Sequence, residues 1–147
     1  MHGKTRSTTL TANRIKHAML PTPPRKVLVI EDEATQVLSL RSQLKTSGFD
    51  VSYAMNGEVG VYKALAEKPD VVLLDIMLPG MSGLDVCQRL KTNTLTRHIP
   101  VIFVTASKID HLREQCHDLG ASEIIIKPYT AGELVGAIQR TLSAPAT

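Results

Sequence analysis

The chain has 147 residues, 43% of them apolar and 21% charged, with a formal net charge of +3. That length suits one domain with a two- or three-layer core, and no apolar run approaches the roughly 18–20 residues of a membrane span. Residues 1–24 also lack the apolar stretch of about 7–15 residues that marks a secretory signal.

The charge is unevenly placed. Residues 1–26 hold six Lys or Arg and no acid, whereas the remainder carries 11 basic against 14 acidic side chains. Residues 1–25 therefore read as a flexible basic arm that stiffens at Pro21-Thr22-Pro23-Pro24. The arm has no aromatic side chain on which to stack a base, so a solvated or interdomain role is expected over nucleic-acid binding. Cys87 and Cys116 lack metal-site spacing and are expected to be reduced thiols of a cytoplasmic protein.

Beyond the arm, short apolar runs alternate with helical patterns. Val27-Leu28-Val29-Ile30 marks a first strand over 26–31, because an all-apolar run bounded by polar residues reads as a strand buried on both faces. A helix follows over about 33–47, with Val37, Leu40, Arg41 and Leu44 at helical spacing and Gly48 as its stop. A second strand covers 49–54. Asn56 caps the next helix, whose inner face is expected to carry either Val59, Tyr62 and Ala66 or Val61 and Leu65, and which ends before Pro69. A third strand over 70–74 delivers Asp75, and the turn residues 78–83 lead into a helix over about 83–91. The fourth strand starts at Pro100 and stops on Thr105; a helix over about 109–119 stops at Gly120. The fifth strand, 123–126, ends on Lys127-Pro128, a candidate cis peptide. Thr130 and Glu133 form a capping-box pair for a last helix running to about 142. Such alternation predicts a (βα)₅ doubly wound parallel sheet with helices on both faces.

In an open parallel sheet, ligands bind at the carboxyl ends of the strands, where strand order reverses. The residues that end these strands are Glu31, Asp32, Asp75, Thr105 and Lys127. Mg²⁺ takes oxygen ligands, commonly one or two carboxylates with water and substrate phosphate. Glu31, Asp32, Asp75 and the carbonyl of Met77 are the candidate ligands. Asp75 is the candidate nucleophile, since a carboxylate can accept a phosphoryl group as an acyl phosphate. Lys127 offers a compact positive charge to the transferring oxygens, and Thr105 a hydroxyl that can donate to them. Met77 and Ser107 are expected to flank the phosphoryl position and tune its hydrolysis. His98, His111 and His117 read as surface or packing residues, and neither G-x-G-x-x-G nor G-x-x-x-x-G-K-[ST] occurs.

Taken together, VLVIEDE (27–33), VVLLDIMLPGMSGLD (71–85), VIFVTAS (101–107) and ASEIIIKPY (121–129) resemble the receiver domain of bacterial two-component response regulators. The resemblance covers about residues 26–142, with 143–147 as a tail or the start of a linker. It implies a flavodoxin-like, CheY-like strand order 2-1-3-4-5. It also implies Glu31 and Asp32 as the acidic metal pair, Asp75 as phosphoacceptor, Met77 as the carbonyl ligand, Thr105 as switch hydroxyl and Lys127 as the phosphate-facing lysine. The implied partners are a sensor histidine kinase or phosphotransfer protein and a downstream effector. The signal would pass through the face made by helix four, strand five and helix five, and pairing with a second copy is left open. Met1 suggests a native start, and the tail is compatible with a stand-alone protein or with a receiver cut from a longer one.

Two departures stand out. Ile124 occupies the position where the family often has an aromatic switch residue, with Tyr129 expected in a half-buried packing role instead, and the metal pair begins with Glu31 where Asp is common. Two further readings follow. One is a pseudo-receiver that binds partners without phosphorylation. The other is a Mg²⁺-dependent phosphatase with Asp75 as nucleophile, disfavoured because Met77, two residues on, cannot transfer a proton.

Overall fold

The computed structural model describes residues 23–106 and 111–144. The arm through residue 22, Ser107, the expected start of the fourth helix and residues 145–147 lie outside the described residues. Five strands and five helices alternate: β1 (Lys26–Ile30), α1 (Ala34–Thr46), β2 (Asp50–Ala54), α2 (Gly57–Glu67), β3 (Val71–Leu74), α3 (Gly83–Thr92), β4 (Val101–Thr105), α4 (Arg113–Asp118), β5 (Glu123–Ile126) and α5 (Ala131–Ser143). All strand pairs are parallel, in the order β2-β1-β3-β4-β5. The predicted order is therefore the observed one.

The apolar runs alternate between two cores, because successive side chains of a strand point to opposite faces. Leu28, Ile30, Val72, Leu74, Val101 and Phe103 face α2, α3 and α4, where Ala64, Val86, Cys87, Leu90 and Cys116 meet them. Val27, Val29, Val71, Leu73, Ile102 and Val104 face the other way, against Leu40 and Leu44 of α1 and Leu134, Ala137 and Ile138 of α5. Each such Leu, Ile, Val or Phe removed from water contributes about 1.5–3 kcal/mol.

Local chemistry sets the helix ends. The Asn56 side chain accepts from the Val59 amide at 2.8 Å, as expected. Thr130 accepts from the Glu133 amide at 3.1 Å, giving half of the expected capping box. The box with both contacts forms at the start of α3, between Ser82 and Asp85.

Helix α2 decides between the two expected stripes, against the first and for the second. Val59 and Tyr62 are exposed and Ala66 is outside the core; the inner face is Gly57, Gly60 and Ala64, with Val61 packed against the core and Leu65 half-buried. The reason is close approach. A Cβ on Gly60 would stand 2.5 Å from Ile30 Cδ1, so the helix lies on β1 through its smallest residues, and large side chains are pushed outward.

Candidate functional site at the carboxyl ends of β1, β3 and β5

The strand order reverses between β1 and β3, and this is where the acidic residues converge. Glu31 follows β1 and Asp75 follows β3. Their strands are adjacent and in register (Ile30 beside Leu74), and the Asp75 amide donates to the Ile30 carbonyl at 3.1 Å. One oxygen each of Glu31, Asp32 and Asp75 falls within 4.8 Å of the others. Glu31 and Asp75 are buried, and Asp32 is half-exposed.

Asp75 is held at both oxygens. Oδ1 accepts from the Met77 amide at 3.0 Å, and Oδ2 faces Lys127 Nζ at 3.2 Å. Lys127 also reaches Glu31 Oε1 at 3.2 Å, and its third oxygen partner is Gln36 Oε1 on α1. The Lys127–Pro128 peptide is cis, as anticipated. Thr105 is fully buried at the end of β4, and its carbonyl accepts from the Lys127 amide at 2.9 Å, which ties β4 to the exit of β5.

The electrostatics are those of crowded carboxylates with too little compensating charge. Burial first, and then the hydrogen bond and charge of Asp75, push the Glu31 carboxyl up to about 8 against the opposing pull of Lys127. Glu31 Oε2 is buried without a hydrogen-bond partner, a costly arrangement for an acceptor. An orphaned oxygen beside two further carboxylates is the donor set of a hard divalent cation, so these residues fit Mg²⁺. Burial, followed by the Glu31 charge, also raises the Tyr129 phenol, whose ring packs against the α1–α5 core in the expected half-buried place.

Several residues fall outside the site. Ile124 packs against the core on the α2–α4 side. His98, His111 and His117 are exposed, and His111 precedes α4 because that helix begins only at Arg113.

Two contributors escaped the sequence reading. One is Gln36, whose signal was its place one turn into α1. The other is Gly83, where an added Cβ would stand 2.0 Å from the Asp75 carbonyl oxygen. Absence of a side chain there lets the start of α3 close on the strand end, with the Gly83 amide donating to the Ile76 carbonyl at 2.8 Å.

A sheet of this order with acids and a lysine at its switch point defines a receiver-type α/β fold. The family described as response regulator receiver domain matches residues 27–139, and the chain belongs to it. Among its relatives, the response regulator PleD of Caulobacter vibrioides is 40% identical over 103 residues, covering 70% of this chain and 23% of PleD. The chain spans about half the length of several other curated relatives it matches. A response regulator receiver domain protein from Clostridium thermocellum superposes with a TM-score of 0.75 at 30% identity, over 80% of this chain and 94% of that one. The receiver domain of a sensor histidine kinase from Pseudomonas aeruginosa PAO1, described with a magnesium ion coordinated in its active site cleft, shares the fold. Its TM-score is 0.77 at 24% identity, over 83% of this chain and 100% of that domain. No helix among the described residues is long and apolar enough to cross a membrane.

Proposed function

We propose that residues 26–142 form a phosphorylatable switch in which Asp75 accepts a phosphoryl group from a histidine kinase or phosphotransfer protein, in the cytoplasm. The flanking residues 1–25 and 143–147 would serve as arm and tail. The observation that carries this reading is the Asp75 carboxylate, buried at the switch point with Lys127 Nζ 3.2 Å from Oδ2 and two further acids beside it. Membership of the receiver family supports it.

Glu31, Asp32, Asp75 and the Met77 carbonyl would hold Mg²⁺. When bound, the ion supplies positive charge to a site otherwise dominated by carboxylates. The chain's own part is placement. A carboxylate oxygen of Asp75 forms the bond to phosphorus while the donor's nitrogen–phosphorus bond breaks and the leaving imidazole nitrogen recovers a proton. Little further covalent chemistry is required, because the transition state is loose and charge is spread over the phosphoryl oxygens. The Met77 amide fixes the carboxylate's orientation, and Lys127 stands ready to follow the charge onto the phosphoryl group. Thr105 would donate its hydroxyl to a phosphoryl oxygen. Because its carbonyl is bonded to the Lys127 amide, movement there reaches β5 directly. Output would then pass through the α4–β5–α5 face to an effector as a shift between two pre-existing states.

Incubation with acetyl phosphate, with and without Mg²⁺, followed by intact mass of wild type and Asp75→Ala, tests the assignment. A Mg²⁺-dependent gain of one phosphoryl group that the variant lacks is the expected result. No adduct after rapid quench would reject it in favour of a pseudo-receiver, a reading that Ile124 in the aromatic position makes the natural successor.

A further inference from the structure

A protonated lysine carries three N–H donors and no acceptor, and all three of those on Lys127 are used. Two go to carboxylates of the crevice, Glu31 Oε1 and Asp75 Oδ2, and the third goes to Gln36 Oε1 on the first turns of α1. Gln36 is itself oriented. Its Nε2 donates to Glu33 Oε2 at 2.9 Å. An ionised carboxylate only accepts hydrogen bonds, so Glu33 fixes which end of the amide faces outward and aims the carbonyl at Lys127.

We propose that Gln36 is a positioning residue for Lys127, holding its ammonium over Asp75 by a contact that does not depend on the charge of the crevice; the inference rests on Asp75 being the phosphoacceptor. The two carboxylate contacts belong to groups whose charge the proposed chemistry alters. Acylation of Asp75 by phosphorus removes its carboxylate charge, and Glu31 is shared with the cation for which the site is suited. The Gln36 amide is neutral and does not titrate. Its helix is anchored next door by Val37 and one turn further by Leu40, both buried. A lysine stem is flexible, and a contact from outside the acid cluster holds the ammonium in register while the cluster changes state.

The test uses the full chain as wild type, Gln36→Met, Gln36→Glu and Glu33→Ala. The first readout needs no phosphorylation. The metal-free proteins are pulsed with an acetyl N-hydroxysuccinimide ester, and acetylation of Lys127 is quantified by peptide mass, with Lys63, bonded to the Tyr53 carbonyl on the far side of β2, as internal reference. The second readout is the rate of phosphoryl uptake from acetyl phosphate at saturating Mg²⁺.

Loss of one charge-assisted hydrogen bond should speed Lys127 acetylation and slow uptake, each by about tenfold, in Gln36→Met. Gln36→Glu keeps an acceptor oxygen at the same reach and should restore protection of Lys127. Glu33→Ala frees the amide to rotate and should fall between wild type and Gln36→Met. Unchanged Lys127 acetylation in Gln36→Met overturns the proposal whatever uptake does, as does acceleration at Lys63 and Lys127 alike, which would mean general loosening. If the wild type takes up no phosphoryl group, the reading of Asp75 fails, and the Lys127-specific acetylation contrast still decides the role of Gln36.

Discussion

The two ends of the sheet solve the problem of buried polar groups in opposite ways. At the amino ends, charged groups are matched, and the one buried side-chain oxygen left without a partner among the described residues there is the neutral amide oxygen of Gln43 in the last turns of α1. Asp70 accepts from the Lys26 amide at 2.7 Å and faces Arg25 at 3.6 Å. Lys91 donates to the carbonyls of Ile99 at 2.7 Å and Arg97 at 3.2 Å, and the buried Thr96 hydroxyl donates to the Leu90 carbonyl at 2.7 Å. At the carboxyl ends, three carboxylates crowd within 4.8 Å, Lys127 compensates them only partly, and Glu31 Oε2 has no partner. Both ends lie on the same strands and share the same cores, so the imbalance is local. A fold keeps such a conflict where a ligand or a reaction resolves it. The amino end serves stability, and the carboxyl end gives some of it up.

The largest expected effect breaks the frustrated end. Asp75→Asn should abolish Mg²⁺-dependent phosphoryl uptake while raising the melting temperature of the magnesium-free protein, because the buried charge that crowds Glu31 and Asp32 is gone. Intact mass and a thermal scan in EDTA check the two halves. A lower melting temperature would show that the Asp75–Lys127 contact outweighs the repulsion and that the carboxyl end is not the frustrated one.

Gly83→Ala comes next. It places a Cβ against the Asp75 carbonyl and should cost on the order of 1–3 kcal/mol by overpacking. Since the displaced backbone carries the phosphoacceptor, uptake should slow as well. Urea unfolding and the acetyl phosphate rate should therefore move together.

Thr96→Val attacks the satisfied end. It strands the Leu90 carbonyl and should cost about 1–2 kcal/mol with the rate of phosphoryl uptake unchanged. A change in that rate would mean the two ends are coupled.

The smallest effect is one of pH. Burial pushes the Cys87 thiol up to about 11, whereas an exposed thiol ionises near about 8.5. Between these values the unfolded chain has released the proton that the folded chain retains, so stability falls as pH rises through this window. Below it the contribution is fully present. Cys87→Ala should flatten that alkaline decline, read as melting temperature against pH, and the buried thiol should resist thiol reagents at pH 8 in the wild type.

How much of this was legible in the chain follows from the range of the interactions involved. Four apolar runs of three or four residues, each ended by a polar residue, announced a parallel sheet, and the turn residues between them bounded the helices; three of the runs are buried on both faces, whereas the edge strand β5 leaves Ile126 exposed and Ile124 half-buried. The site's principal residues were legible for the same reason. A residue that ends a strand in such a sheet has one place to go, so Glu31, Asp32, Asp75 and Lys127 could be brought to one crevice from local pattern alone. Of the helix expected over 109–119, residues 111 and 112 form a turn and α4 begins at Arg113.

Tertiary structure decided what depends on how closely two elements approach. On α2, hydrophobicity alone left two stripes open; contact with Ile30 selects the face of Gly60 and Ala64, with Val61 packed beside them, and leaves Val59 and Tyr62 exposed. Gly83 looked like turn chemistry until the Asp75 carbonyl was seen beside it. Gln36 and Lys127 are 91 residues apart, and their meeting depends on the packing angle of α1 over β1 and on the exit of β5. No periodicity, cap or motif encodes that geometry. The sequence by itself determined the sheet and the ends of its strands, because those follow from patterns of a few residues. The partner that holds the lysine was left to packing, because it follows from the position of a whole helix.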